Sequence, residues 1–104
     1  MTNIDQIIDK LTLKEKISLL SGFNSWYTNK IEEKNVPSIK MSDGPNGVRG
    51  DSNSGKSSAC FPCAISIGST WDLELINDIG IALGEEAQAK DVDVLLGPTI
   101  NIHR

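Results

Sequence analysis

Residues 73–96 constrain the fold of this chain more than any other stretch. Ile76, Ile79, Leu83 and Ala87 recur at helical spacing, while Asn77, Asp78, Glu85, Glu86 and Lys90 fall largely elsewhere. The pattern predicts an amphipathic helix over Leu73–Lys90. Thr70 or Asp72 caps its start, and Asp72 and Glu74 suit the positive end of its dipole. Directly after it, Val92-Asp93-Val94-Leu95-Leu96 reads as an apolar strand, closed by Gly97-Pro98. Two further strand-like stretches come earlier: Ser38-Ile39-Lys40-Met41, which alternates after Pro37, and Ala64-Ile65-Ser66-Ile67, ended by Gly68. Strand, helix, strand is the βαβ order of α/β architectures, in which sites gather beyond the carboxyl ends of the strands. Function is therefore expected after Met41 and after Leu96.

The amino-terminal part reads as helical. Ile4, Ile7, Ile8 and Leu11 mark a short amphipathic helix. Thr12 and Glu15 stand in capping-box spacing at the start of a second helix, with Leu13, Ile17 and Leu20 on its apolar face. Gly22 is the expected left-handed stop for that helix. Residues 23–36 form a polar connecting excursion that carries Trp26 and Tyr27. Trp26 reads as core packing, with a stacking platform for a sugar ring as the other reading.

Glycine and proline crowd the stretch after Met41, predicting a long loop from Ser42 to about Ser58. Loops of that length in a compact domain are uncommon and usually functional. Within it, Asp43 comes directly after a strand and Arg49 lies six residues on. A carboxylate at a strand end can accept hydrogen bonds from adjacent sugar hydroxyls, each worth about 1.5–3 kcal/mol when charge-assisted. It can equally cap its own turn, as Asp before glycine often does. Gly50-Asp51-Ser52-Asn53-Ser54-Gly55-Lys56-Ser57 matches the phosphate-loop pattern letter for letter. Its context argues against that chemistry, because the motif must leave a buried strand and enter a helix.

Cys60 and Cys63 are spaced as a redox dithiol, yet the next residues, Ala64–Ile67, read as strand rather than as the helix that would activate a thiol. They are expected to be packed structural thiols. Glu85 and Glu86 are neighbours on a helix, about 100° apart, and so cannot flank one bond; a solvated face is expected. His103 lacks a nucleophile placed by any recognisable motif.

Bulk properties narrow the class. With 104 residues the chain is one domain at most, whereas α/β barrels usually need about 250. A net charge of −4 speaks against nucleic-acid and anionic-membrane partners. No secretory signal is visible at the start, and two cysteines suggest reduced thiols, so a cytoplasmic location is expected.

The motifs converge on one family. Thr12-Leu13-x-Glu15-Lys16-x-x-Leu19-Leu20-Ser21-Gly22 resembles the opening of glycoside hydrolase family 3 β-glucosidases, and Ser42–Gly50 resembles that family's first substrate-contacting loop. Cys60-Phe61-Pro62, Thr70-Trp71-Asp72, Gly84–Lys90 and Leu95–Arg104 match its next landmarks in order. The resemblance implies the N-terminal part of a (β/α)8 TIM-like barrel, incomplete over residues 1–104. It implies retaining hydrolysis of β-linked glucosides or short oligosaccharides, by two carboxyl groups about 5–5.5 Å apart. Neither of those carboxyl groups falls within these residues. What carries over is Asp43, expected to hold hydroxyls of the sugar in subsite −1, and Arg49, expected to orient Asp43 or the sugar. No metal or organic cofactor is implied, and the rest of the barrel with its following domains is the expected partner. The alternatives are a small nucleotide-binding protein built on residues 50–57, or a non-catalytic remnant that complements another fragment.

Overall fold

A computed structural model describes residues 4–49 and 56–101. The chain divides into two compact units, Met1–Lys40 and Met41–Arg104.

In the first unit, α1 (Ile4–Lys10) and α2 (Leu13–Leu19) form as their periodicity predicts. The capping box is complete: the Thr12 hydroxyl accepts from the Glu15 amide at 3.3 Å, and the Thr12 amide donates to the Glu15 carboxylate at 2.6 Å. Hydrogen bonds from the Thr12 hydroxyl and amide hold the Glu15 carboxyl below its ordinary pKa. Gly22 is not the stop of α2. The helix ends with Leu20 still right-handed, and a side chain satisfies carbonyls at its end instead. Asn29 Nδ2 donates to the carbonyls of Ser18 and Ser21 at 2.8 and 2.9 Å. Gly22 pairs across an antiparallel bridge with Thr28, closing a turn in which Asn24 Oδ1 accepts from the Trp26 and Tyr27 amides. The excursion is thus ordered by local polar pairing, including a one-turn 3₁₀ helix at Glu32–Lys34. Trp26 is half-buried in it.

The second unit holds β1 (Met41–Asp43), α3 (Ala64–Ser69), α4 (Leu73–Ala89) and β2 (Val94–Leu96). β1 and β2 pair in parallel, with Met41 opposite Val94, Ser42 opposite Leu95 and Asp43 opposite Leu96. A parallel β–α–β connection is therefore present, but the described residues have two helices between the strands and no strand directly before α4; they form a two-stranded sheet, not a closed barrel.

Two expectations shift. The strand predicted at Ser38–Met41 begins only at Met41, where pairing with β2 starts, and runs to Asp43. Ser38 and Ile39 instead hydrogen-bond to Thr28 within the first unit. The stretch Ala64–Ile67 is helical, not extended. Four alternating residues are too few to separate strand from helix. Cys63 takes the extended N-cap conformation without a side-chain cap, and its carbonyl accepts the first helical bond, from the Ile67 amide at 3.0 Å. At the other end, the hydroxyls of Ser69 and Thr70 satisfy the carbonyls of Ser66 and Ile67.

α4 starts where predicted, with Asp72 as its cap: one carboxylate oxygen accepts from the Glu74 and Leu75 amides, each at 3.1 Å. Its apolar face meets the loop after β1. Val48, fully buried, packs with Ala87 and Val92, and Leu83 and Leu95 flank them. Farther along that face, Ile76, Ile79 and Leu83 join Ile67, Leu95 and Pro98 around an apolar groove of about 370 Å³. No helix among the described residues is long and apolar enough to cross a membrane.

Candidate functional site

Asp43 is the last residue of β1, so parallel pairing with Leu96 sets its position at the carboxyl end of the strand. Before it, Ser42 is fully buried, and its hydroxyl donates to the Asp43 carbonyl at 2.8 Å. That same carbonyl accepts from the Arg49 amide at 2.9 Å. Between them, Gly44 and Gly47 exchange backbone hydrogen bonds at 2.9 and 3.3 Å, folding the chain back on itself. Both candidate side chains consequently leave the same turn. Arg49 Nη1 lies 3.9 Å from Asp43 Oδ2, with the two side chains 68% and 52% exposed. Asp43 and Arg49 line an open depression of about 350 Å³, walled also by Pro45, Asn46, Ala59 and Cys60.

A second limb of chain, residues 56–62, lies against this turn. The Phe61 amide donates to the Asn46 carbonyl at 2.7 Å, and Asn46 Nδ2 donates to the Pro62 carbonyl at 3.0 Å. At Gly47 (φ 155°) the approach is so close that a Cβ would sit 2.1 Å from the Ala59 carbonyl oxygen. Only glycine fits there.

Glu86 corrects an expectation. It is not on a solvated face. Its carboxylate accepts from the Ala59 amide at 2.7 Å and the Val48 amide at 3.1 Å, one from each limb. Lys90, one turn on and 6% exposed, gives its ammonium to Glu86 at 3.1 Å. It also donates to the Val48 carbonyl at 2.6 Å and the Ser58 hydroxyl at 2.5 Å. Burial pushes the Glu86 carboxyl up. The amides of Ala59 and Val48 and the Lys90 ammonium outweigh that, leaving it below its ordinary value. Glu85 is exposed, as expected. Sequence reasoning missed this junction. Its only trace was the four-residue spacing of Glu86 and Lys90, which surface pairs share.

The other candidates fare differently. Cys60 and Cys63 are free and exposed, so they are not packed thiols: Cys60 borders the depression and Cys63 precedes α3. Among the described residues no three His, Cys, Asp or Glu side chains gather as a metal site. Residues 50–55 and 102–104 lie outside the described residues, and with them most of the phosphate-loop match and His103. The described part of the match lacks its context: residues 56–63 are irregular, and α3 does not begin until Ala64. Lys56 Nζ donates to the Ala89 carbonyl at 2.7 Å.

Residues 4–104 match the model of the glycosyl hydrolase family 3 N terminal domain. The chain belongs to glycosyl hydrolase family 3. Among its family 3 relatives, a β-glucosidase of Rhizobium radiobacter is 56% identical over 103 residues, covering 97% of this chain and 13% of the relative. A probable β-glucosidase I of Emericella nidulans is 52% identical, covering 98% and 12%. Among solved structures, the β-glucosidase of Kluyveromyces marxianus in complex with glucose superposes with a TM-score of 0.90. It is 41% identical, with 98% of this chain and 12% of that chain covered. β-Glucosidase 3B of Thermotoga neapolitana in complex with glucose gives 0.79 at 33% identity, over 97% and 17%. This family 3 chain thus spans about an eighth of the length of the curated relatives it matches.

Proposed function

We propose that this chain supplies part of the sugar-binding site of a β-glucosidase-type hydrolase, acting on β-linked glucosides or short oligosaccharides with retention of configuration. One observation carries the reading. Asp43 stands at a parallel strand's carboxyl end beside Arg49, both side chains exposed at an adjoining depression while their backbones are tied into one turn. An exposed pair of this kind adds little to stability, about 0–1 kcal/mol. A bound sugar has a use for it: the carboxylate accepts from adjacent hydroxyls, and the guanidinium holds the carboxylate or donates to the ring substituents. Relatives named β-glucosidases, and solved structures that hold glucose, support the same reading.

The two carboxyl groups of a retaining mechanism belong to other parts of the polypeptide. The βαβ unit fits the beginning of a (β/α)8 barrel. The apolar groove along α4 and the exposed Ile65, Leu73, Leu96 and Ile100 fit faces that later barrel elements and following domains cover. Two free thiols fit a reducing, cytoplasmic setting.

The test is a chimera in which residues 1–104 replace the matching segment of the Rhizobium radiobacter enzyme. It is expected to hydrolyse an aryl β-glucoside. Asp43→Ala then removes two or more charge-assisted bonds, lowering kcat/KM by at least about a hundredfold. An unchanged kcat/KM in that variant refutes the role given to Asp43.

A further inference from the structure

Two limbs of chain frame the depression beside Asp43, and a single carboxylate takes an amide from each. Glu86 accepts from Val48 of the first limb and from Ala59 of the second. Val48 adjoins Arg49, and Ala59 is itself part of the wall of the depression. Lys90 completes the junction from the same helix, closing on the Val48 carbonyl and on Ser58, whose own hydroxyl donates to the Val48 carbonyl at 2.7 Å. These bonds interlock, so moving either limb breaks bonds at the other.

We infer that Glu86, held by Lys90, is a positioning residue for sugar binding: it fixes the distance between the Asp43–Arg49 turn and the Ala59–Cys60 wall. The inference rests on the sugar-binding role proposed for Asp43. Glu86 itself does not line the depression. It acts through Val48, whose neighbour Arg49 is anchored by its amide to the Asp43 carbonyl. Displacement of a binding group by about 1 Å is enough to cost a hundredfold in rate. Glutamine at position 86 offers one acceptor oxygen to two amides, so one limb is released.

A double-mutant cycle in the chimera separates positioning from mere structural support. Glu86→Gln is expected to lower kcat/KM for the aryl β-glucoside by about tenfold to a hundredfold. In an Asp43→Ala background the same change is expected to cost less than about threefold, because the group it positions is gone. Glu86→Gln also takes a carboxylate away from the buried Lys90 ammonium, which can impair folding. The cycle is therefore repeated with Glu86→Gln combined with Lys90→Met, which takes both charges out at similar side-chain length. An equal loss in both backgrounds, or no loss in either, overturns the inference while leaving Asp43 in its role. An Asp43→Ala variant as active as the parent overturns the underlying reading and the inference with it.

Discussion

Gly47→Ala is expected to pry the two limbs of the site apart. The added Cβ would lie 2.1 Å from the Ala59 carbonyl oxygen, about 1.3 Å inside the 3.4 Å at which ordinary contact begins. The obstacle is backbone, so no rotamer change relieves it, and the φ of 155° is one that side chains rarely adopt. Relief requires a shift of about 1 Å between the limbs. Among the bonds that tie the second limb down, the two nearest the clash, Ala59 to Glu86 and Phe61 to Asn46, are both 2.7 Å long. A shift of that size carries them past about 3.5 Å, where they no longer count as hydrogen bonds. One is charge-assisted, worth about 1.5–3 kcal/mol, and the other is worth about 1 kcal/mol. Their loss destabilises the loop by about 2.5–4 kcal/mol. Hydrogen exchange read by mass spectrometry on peptides covering Val48, Ala59 and Phe61 in the chimera measures this locally. Those amides are expected to exchange at least about thirtyfold faster than in the parent. Gly68→Ala is the control, since a Cβ there meets nothing within 4 Å. Exchange in Gly47→Ala indistinguishable from that control would refute the reasoning.

Asp43→Asn is expected to change unfolding stability by less than about 1 kcal/mol, because its ion pair with Arg49 is exposed and long, while sharply reducing kcat/KM. Parallel denaturation and kinetic measurements check the contrast, and equal changes in both would count against it. Glu86 gives a pH dependence with a definite sign. Its folded carboxyl is held below the ordinary value of 4.5, so its stabilising contribution is full above that pH and fades as pH falls through the lower folded value. The gap in urea midpoint between the parent chimera and its Glu86→Gln variant should therefore narrow below about pH 4.5; a constant gap contradicts it. Asp72→Ala removes the acceptor of two amides at the start of α4 and is expected to cost about 1–2 kcal/mol, with Asp72→Asn nearly neutral. Chemical denaturation of the parent and the two variants decides it.

Elements set by local periodicity and capping were legible in the sequence. α1, α2 and α4 declare themselves through apolar spacing, Thr12 and Asp72 through the amides that need a cap. The parallel order of β1 and β2 came from the helix between them. What failed depended on distant partners or on very short signals. Ala64–Ile67 alternates like a strand, but it forms a helix whose last carbonyls the Ser69 and Thr70 hydroxyls satisfy. Gly22 looked like a helix stop, yet Asn29, eight residues past Ser21, supplies the missing donors. Among the candidates, Asp43 and Arg49 stood out because glycine and proline crowd the stretch around them, and the structure brings their side chains to one turn. Glu86 did not, since a glutamate on a helix looks the same whether its neighbour is water or two backbone amides from residues 38 and 27 positions away.

Those separations also order events in time. A chain made from its amino end releases Asp43 and Arg49 well before Glu86 and Lys90 exist. Until the last turn of α4 has emerged, the two limbs have no carboxylate to share, and the turn relies on its own backbone bonds and those from Ser58, Phe61 and Asn46. Contacts of such high sequence separation form late, after the loop-closure entropy has been overcome. Asp43 and Arg49, proposed to face the sugar, are thus among the first residues of this unit to be synthesised, while the junction at Glu86 that joins their turn to the second limb is completed late.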